Sequence, residues 1–456
     1  MVDFILAVPA LVKVLGSLAL ILLVYRLLKN LLVGVVAGTL ALGLWTGWPA
    51  GLTLQVAWDR FHSTDNLCLT GTILLVIWLS SQMARSGVME DLVAAVRGRV
   101  SQRASMAVLP AVIGLLPMPG GAIFSAPMVD RLDADGSVQP LLKVKANYWF
   151  RHVWEYWWPL YPGVLVAMAI TGLEVWEFIP LQLPLTLLAV GVGWVFLLRR
   201  LPRPADPSPG TAPRLRPAEG ALQSKAAAVP RLGPLLAPIL VVVGCYGLLR
   251  AAVAGVRWAW PAVPSLESLG LALVPMVVGL VLAMALLQRE RPIPWHGWKA
   301  IFLSAKTASL VGVIIAIRVY GAFIESKAAG DQALVARMEA EMNAWGIPAL
   351  AIIMLLPFVV GLTTGVCVGF VGASFPVVVS LVAPGATAGV RLATLVLAYG
   401  FGYMGMMLSP VHVCLIVTNE HFRTRLLHSL RGLLGMAAAV LAGVLGYAAA
   451  LWWLWP

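Results

Sequence analysis

Two runs of proline and glycine in this sequence could form binding loops within a helical structure. The first is Pro117-Met118-Pro119-Gly120-Gly121, and the second is Gly361-Leu362-Thr363-Thr364-Gly365, which adds two hydroxyl groups. A turn of this kind lets the next helix begin with free backbone N–H groups, which bind anions. Unwound carbonyl groups beside it suit Na⁺ or a proton-bearing water. Both loops are therefore predicted to bind substrate or ion, the alternative being that they only shape closely packed helices.

Two titratable residues stand in apolar segments, where charge is unfavourable unless it is paired or hydrated. His412 follows Pro410 and could bind an anion or carry a coupling proton, or it could simply hydrogen-bond to a neighbouring helix. Glu155 follows Arg151 and His152 and is a second candidate for coupling. An Arg151–Glu155 pair at i, i+4 would explain the same carboxylate structurally.

Other polar or aromatic residues close to the loops and to the prolines are expected to line the same central cavity. They are Ser125, Trp158, Ser374 and Ser409. No catalytic residue is predicted, because the sequence has no phosphate loop, no HExxH motif and no nucleophile elbow. No metal ligand is predicted either, because the four cysteines form no CxxC pair and are interpreted as buried thiols. Na⁺, as a coupling ion, is the one cofactor considered.

The elements that position these residues are predicted to lie in a membrane. Of 456 residues, 60% are hydrophobic and only 11% are charged, which is too little polar surface for a soluble protein of this length. The 18 tryptophans and 43 glycines are typical of helices that pack in lipid. The net charge of +12 is attributed to membrane topology, because the basic residues lie between apolar runs, and no nucleic-acid partner is expected.

Ten apolar runs are long enough to cross the hydrocarbon core as helices. They lie near 4–24, 31–50, 67–84, 147–172, 180–198, 232–250, 267–287, 300–323, 388–417 and 432–454. Two further stretches, at about 105–130 and about 348–382, are interrupted by glycine and proline and are predicted to be re-entrant hairpins. Segment 324–345 is predicted to be an amphipathic surface helix.

Basic residues predict the orientation. With both termini periplasmic, 22 of the 32 Lys and Arg residues lie in cytoplasmic loops and six at the outer side, as the positive-inside rule requires. We therefore expect a multi-pass protein of a bacterial inner membrane that could form a homodimer. The Pro- and Arg-rich stretch 199–231 is predicted to be a cytoplasmic linker between two repeats, 1–198 and 232–456.

The two predicted repeats match feature by feature. The two breaks open with Leu115-Leu116-Pro117 and Leu355-Leu356-Pro357. Pro127 of the first hairpin lies 32 residues before a further proline, and Pro376 of the second lies 34 residues before another. Those further prolines, Pro159 and Pro410, are predicted to break their spans near the bilayer centre. Five crossings per half would invert the second repeat relative to the first, as in many secondary transporters. The fold class is thus an all-α polytopic membrane protein with about ten transmembrane helices, two re-entrant hairpins and inverted-topology repeats.

Three motifs resemble a known family. They are Leu116-Pro117-Met118-Pro119-Gly120-Gly121-Ala122, Phe124-Ser125-Ala126-Pro127-Met128 and Ser409-Pro410-Val411-His412-Val413-Cys414-Leu415. Together they resemble the family called domain of unknown function 401, which is placed in the ion transporter superfamily. The resemblance covers nearly the whole chain and implies an elevator-like carrier with two hairpins. It implies no substrate.

Secondary transport of a small anionic metabolite, coupled to Na⁺ or H⁺, is the function that these features favour. A cation/proton antiporter that uses Glu155 and His412 is the alternative within transport. A membrane enzyme or a scaffold that does not transport is the alternative from another class. Only one deep carboxylate is found, which favours anion transport over antiport.

Overall fold

The structure is a computed structural model, and it describes residues 8–97, 100–115, 121–133, 136–201, 232–326, 334–382 and 385–455. These residues form α-helices, one 3₁₀ turn at Leu198–Arg200 and connecting turns, and they contain no β-strand. Long apolar sequences favour helices because a helix satisfies its own backbone N–H and C=O groups without water. Most of the predicted linker, 202–231, lies outside the described residues.

The described part of the chain before residue 202 contains helices α1 to α10. They are α1 (Ala10–Leu28), α2 (Leu31–Trp45), α3 (Ala50–His62), α4 (Thr64–Arg85), α5 (Val88–Arg97), α6 (Gln102–Gly114), α7 (Ala122–Arg131), α8 (Pro140–Arg151), α9 (Pro162–Thr171) and α10 (Val175–Phe196).

After residue 231 the described residues form α11 to α20. They are α11 (Leu232–Ala259), α12 (Val274–Glu290), α13 (Trp295–Phe302), α14 (Ala305–Glu325), α15 (Leu334–Ala344), α16 (Ala349–Thr364), α17 (Cys367–Ser380), α18 (Ala388–Met407), α19 (Val413–His421) and α20 (Leu426–Leu454).

Several of these helices are suited to span a membrane. Among the described residues, seven are long and apolar enough to cross one, and the number rises to eight if a bent pair over 336–344 and 349–364 is counted as one span. The seven are α1, α4, α10, α11, α13 with α14, α18 and α20. The prediction of an all-helical, multi-pass membrane protein is therefore confirmed.

The interrupted segments of the sequence are pairs of short helices. The predicted hairpins are α6 with α7 and α16 with α17, and the turn residues 116–120 of the first lie outside the described part. The predicted broken spans are α8 with α9 and α18 with α19. The predicted surface helix is α15, which packs against α1, where the Glu341 carboxylate accepts the N–H groups of Ala10 and Leu11 at 2.7 and 2.8 Å.

Helices from the two parts of the chain pack together in matching pairs. Within each part, α1 packs on α2 and α11 on α12, and α6 packs on α8 and α16 on α18. Between the parts, α9 packs on α17 and α7 on α19, while α2 packs on α14 and α12 on α4. Each hairpin therefore has one arm against the broken span of the other part, and these contacts create the central site.

Candidate functional site

Both predicted broken spans are interrupted at their prolines. Helix α8 ends at Arg151 and α9 begins at Pro162, with turns over 152–161 that include Pro159. Helix α18 ends at Met407 and α19 begins after His412, beyond Pro410. Pro410 lacks an N–H and clashes with the preceding turn, so α18 stops just before it and exposes backbone groups. Helix α8 ends earlier relative to Pro159, at the start of a longer irregular turn.

The end of α6 is attached to the first break by aromatic side chains. The last carbonyl groups of a helix have no partner within it and need donors from elsewhere. Three side chains of the turn 152–161 supply them. The pairs are Trp154 Nε1 to the Ala111 carbonyl at 2.7 Å, Trp158 Nε1 to the Leu115 carbonyl at 3.0 Å, and the Tyr161 hydroxyl to the Gly114 carbonyl.

The tip of the second hairpin rests on the second break. Gly365 has a φ of 64°, in the left-handed region, and its N–H donates to the Gly361 carbonyl at 2.9 Å, which caps α16. A Cβ at Gly365 would lie 2.9 Å from Ser409 Oγ and 3.0 Å from the backbone nitrogen of His412. Glycine is therefore required here both by the backbone conformation and by the close approach.

The N-termini of four short helices, α7, α9, α17 and α19, meet at this centre. Gly163, the second residue of α9, lies so close to Cys367, the first of α17, that a Cβ on it would overlap the Cys367 thiol. His412 is the N-cap of α19 and contacts the turn before α17 through Gly365. Each helix N-terminus carries about half a positive charge, so their convergence favours an anion.

A buried guanidinium adds a full positive charge. Arg151 is only 3% exposed, and its guanidinium lies directly against Gly121, the N-cap of α7. Any side chain at Gly121 would overlap that guanidinium. Because Arg151 ends α8, Glu155 is not one helical turn from it, and the i, i+4 helical pair considered from the sequence is not the arrangement found.

Two histidines meet beside Arg151. The Nε2 atoms of His152 and His412 are 3.1 Å apart, and His152 Nδ1 lies 2.6 Å from the carbonyl oxygen of Tyr148. The Glu155 carboxylate is 3.9 Å from His152 Nε2. The thiol of Cys414 completes a group in which the ligand atoms of both histidines and the cysteine all lie within 4.8 Å of one another.

Tyrosines hold this turn in place. On α18, the Tyr403 hydroxyl donates to the His152 carbonyl and the Tyr399 hydroxyl donates to the Glu155 carbonyl at 2.6 Å. Within the described residues, the buried Ser125 Oγ and Tyr156 hydroxyl have no hydrogen-bond partner. Buried polar atoms of this kind are usually satisfied by water or by a ligand.

The structure brings several of the predicted site residues together. Gly121, Glu155, Gly365, Ser409 and His412 all lie at or beside the meeting point of the breaks and the hairpins. Ser125 is fully buried one turn into α7. Pro119 and Gly120 lie outside the described residues.

Other predicted site residues have structural partners instead. Thr364 is buried, its hydroxyl bonds to the Val360 carbonyl at 2.8 Å, and its own carbonyl accepts from Tyr25 at 3.0 Å. The Ser374 hydroxyl bonds back to the Phe370 carbonyl. The exposed Thr363 likewise bonds within its own helix, and Trp158 holds the end of α6, as described above.

Sequence reasoning missed Cys414 and considered Arg151 and His152 only as neighbours of Glu155. The one local signal was that Cys414 stands two residues after His412, a spacing that places both at the start of α19. The proximity of His152 to His412 depends on the packing of the two parts of the chain and has no local signature.

A second polar region lies at the far end of α9. A cavity of about 230 Å³ is lined there by residues that include Asp65, Glu174, Tyr246 and Glu267. The Glu174 carboxylate lies 2.5 Å from the guanidinium of Arg250, which also contacts Glu267. Burial, followed by the nearby Glu267 carboxyl group, raises the pKa of Glu174 from 4.5 to about 7, although Arg250 opposes the rise.

Comparison with known sequences places the chain in a family. A family model described as "Protein of unknown function (DUF401)" matches residues 11–207 and 258–452. No curated protein matches the chain. Since the two matched ranges cover most of the sequence and contain every residue of the central site, the chain belongs to this DUF401 family of proteins of unknown function.

Proposed function

We propose that this protein is a secondary active transporter of a bacterial inner membrane, and that it moves a small anionic metabolite coupled to Na⁺ or H⁺. The convergence of four helix N-termini on the buried Arg151 is the observation that carries the proposal. Such termini bind anions through backbone N–H groups and their partial positive charge. The Arg151 guanidinium adds a full positive charge to these partial charges.

The architecture supports transport in particular. In inverted-repeat transporters, discontinuous helices from both repeats meet near the bilayer midplane, where they bind substrate and coupling ions. Here α1 to α10 and α11 to α20 follow the same order of long and interrupted helices, and their contacts are reciprocal. We propose that the two parts are inverted repeats, with both termini periplasmic and the linker 199–231 cytoplasmic. The hairpins and broken spans would then move together, as in an elevator.

A cation/proton antiporter is the second candidate. The observation that favours it is Glu155, a carboxylate beside His152 in the turn that follows Arg151. Intramembrane carboxylates and histidines commonly form proton relays. Anion transport remains the first proposal because Glu155 is the only carboxylate in the described central site, whereas the positive groups there are several.

The two transport functions are separated by ligand binding to the purified protein. Thermal unfolding would be measured with small carboxylates and inorganic phosphate, with and without Na⁺, and flux of any stabilising anion would follow in proteoliposomes. Stabilisation by an anion is expected for the first proposal, since a ligand that binds only the folded state raises its stability. Proton flux driven by an imposed Na⁺ gradient, without anion binding, would instead favour the antiporter.

Substitutions at the hairpins test the location of the site. Gly121→Leu would overlap the Arg151 guanidinium, and Thr364→Leu would alter the second hairpin tip. Both are expected to abolish anion stabilisation and uptake while expression remains largely intact. Gly446→Leu is the matched control, because nothing lies within 4 Å of a Cβ at that glycine. Normal uptake by both hairpin variants would place the site elsewhere.

Single-cysteine labelling in intact cells tests the orientation. The loops 83–104, 131–145, 199–231 and 419–431 are expected to be protected from a reagent that does not cross the membrane, because they carry most of the basic residues. Strong labelling of 199–231 from outside would contradict the proposed topology.

A further inference from the structure

We propose that His152, His412 and Cys414 bind a transition-metal ion of the zinc class at the centre of this protein. The site goes beyond the proposed transport function, because it requires neither an anionic substrate nor movement. It also departs from the expectation drawn from the sequence, which contained no metal-binding motif. His152 and His412 come from the two breaks and Cys414 from the first turn of α19, and the two breaks are far apart in sequence and adjacent in the fold.

The distances between the ligand atoms suit a tetrahedral ion. Two imidazole nitrogens, each about 2.0–2.1 Å from a tetrahedral zinc ion, lie about 3.3 Å from each other. The Nε2 atoms of His152 and His412 are 3.1 Å apart, close to that separation. The Cys414 sulfur lies within 4.8 Å of a ring nitrogen of each histidine, so it would move closer to reach a zinc–sulfur distance of about 2.3 Å.

The surroundings of His152 prepare its Nε2 atom as a ligand. His152 Nδ1 faces the Tyr148 carbonyl oxygen at 2.6 Å, and a carbonyl can only accept, so the proton of the neutral ring is on Nδ1. The lone pair is then on Nε2, which points to His412. Metal-binding histidines characteristically donate their second N–H to a backbone carbonyl or carboxylate in this way.

The His412 ring is the second imidazole of the site. The side chain is buried, and its Nδ1 atom has no hydrogen-bond partner among the described residues. With both rings neutral, a His412–His152 hydrogen bond would require the His412 proton on Nε2 and would leave Nδ1 as an unsatisfied acceptor. A metal at the two Nε2 atoms replaces that hydrogen bond, and the ring proton of His412 then lies on Nδ1, which has no acceptor among the described residues.

The charges of the site can balance a divalent cation. When metal binds, the Cys414 thiol loses its proton and becomes a thiolate, since the thiolate is the form that ligates metal. Glu155, at 3.9 Å from His152 Nε2, is the nearest carboxylate and the closest candidate for the fourth position. The negative charges of the thiolate and the carboxylate together offset the two positive charges of the metal ion. With Arg151 included, the site as a whole stays positively charged, which favours an anion.

The ligand types select the class of metal. Imidazole nitrogen and thiolate sulfur favour zinc, cobalt, nickel and copper, whereas magnesium and calcium prefer oxygen ligands. The site is therefore distinct from the Na⁺ coupling site considered above.

Cobalt titration of the purified full-length protein tests the site without any knowledge of the transported substrate. Binding of Co²⁺ is expected to produce the visible bands of a tetrahedral ion and a thiolate-to-cobalt charge-transfer band, and Zn²⁺ should abolish both by displacement. Mg²⁺ should not compete. The absence of a charge-transfer band at saturating Co²⁺ would overturn the proposal.

Variants identify the ligands. Cys414→Ser should abolish the charge-transfer band, and His412→Gln should weaken Co²⁺ binding by more than the roughly 10–100-fold that loss of a second-shell partner produces. The matched controls are Cys245→Ser and His421→Gln, which lie outside the cluster and should bind Co²⁺ like the wild type. Unchanged binding by Cys414→Ser and His412→Gln would refute the assignment.

Protection from alkylation extends the test to the unmodified protein, in case a ligand variant does not fold. A membrane-permeant thiol reagent would be applied with and without Zn²⁺, and each cysteine followed by mass spectrometry. Zn²⁺ should slow the modification of Cys414 and leave that of Cys245 unchanged. Equal rates at Cys414 with and without Zn²⁺ would overturn the proposal, whereas stabilisation by carboxylates or phosphate, measured separately, would decide the transport proposal.

Discussion

The two hairpins have the same helical outline, and in both a glycine lets the hairpin backbone touch the broken span, as Gly114 does against the Arg151 carbonyl in the first. They differ in what is added to that contact. In the first, side-chain donors from the turn 152–161 reach the final carbonyls of α6. In the second, glycines let the backbones touch directly. A Cβ at Gly361 would overlap the backbone of Gly402, and a Cβ at Gly405 would overlap the carbonyl of Phe358.

This difference decides where the polar groups lie. The second break, 408–412, is short, and the helix before it, α18, packs closely on α16. The first break, 152–161, is longer and contributes His152 and Glu155 to the centre, directly after Arg151. The first part of the chain therefore supplies the charged groups of the described centre, Arg151 and Glu155, and the second supplies His412 and Cys414.

The largest expected effect comes from breaking the glycine contact of the second hairpin. Gly405→Ala should lower the free energy of unfolding by about 3 kcal/mol, the upper end of the usual range for overpacking, because the obstructing atoms are backbone and cannot rotate away. Thermal unfolding in detergent would measure it.

Gly446→Ala is the control for that substitution, because it adds the same methyl group to helix α20 where nothing lies within 4 Å. It should be neutral or stabilise by up to about 1 kcal/mol, since alanine favours helix over glycine. Equal destabilisation by both alanines would mean that the close backbone contact is not what holds the second hairpin.

The sequence revealed the interrupted helices of both parts but not the way they are attached. Pro159, Pro410 and the hairpin glycines act on the backbone locally, so their effect could be predicted from residue type alone. Whether Gly405 meets a carbonyl or a side chain depends on how α16 crosses α18, which no local pattern encodes. Helices α3, α5 and α13 were missed for a related reason, since they are too short to give a span.

Prediction from local sequence patterns is limited in the same way at the central site. His412 was predicted from its place after Pro410, and the structure adds that it lies against His152, a residue from the other half of the chain. Cys414 was interpreted as a buried thiol because its partners are distant in sequence. Burial could be predicted from composition, but the identity of the neighbours required the fold.

The turns that follow the two broken spans differ in charge, and pH should expose that difference. After α9, Glu174 contacts Arg250, and its pKa is raised to about 7. After α19, the turn is held by the uncharged Asn419, whose Oδ1 accepts from Thr424 and Ser429 at 2.6 Å each. The Glu174 carboxyl group should therefore make the first turn respond to pH between about 5 and 8, whereas the hydrogen bonds of Asn419 do not titrate.

The direction of the pKa shift of Glu174 determines whether stability rises or falls with pH. Because the pKa of Glu174 is higher in the folded state than its ordinary value of 4.5, the folded protein binds this proton more tightly. Its contribution to stability is complete below the unfolded pKa and is lost as pH rises through about 7.

Thermal unfolding of a Glu174→Gln variant would measure this contribution. The free energy of unfolding should fall less between about pH 5 and pH 8 in the variant than in the wild type, because glutamine does not titrate. Asn419→Ala is the comparison in the second turn and should destabilise equally at both pH values. If the stability of Glu174→Gln fell with rising pH as much as that of the wild type, Glu174 would not be the source of a difference between the two turns.

The smallest effect tests the aromatic attachment of the first hairpin. Trp154→Phe and Trp158→Phe each remove one N–H donor from the end of α6, which should lower local stability by about 1 kcal/mol per bond. Amide hydrogen exchange in the last turn of α6 should then be about fivefold faster, since 1 kcal/mol corresponds to that factor. Trp157→Phe is the matched control, because it removes a similar volume while its Nε1 has no partner among the described residues. If Trp157→Phe accelerated exchange as much as the other two, the volume of the aromatic rings, and not their hydrogen bonds, would be what secures the first hairpin.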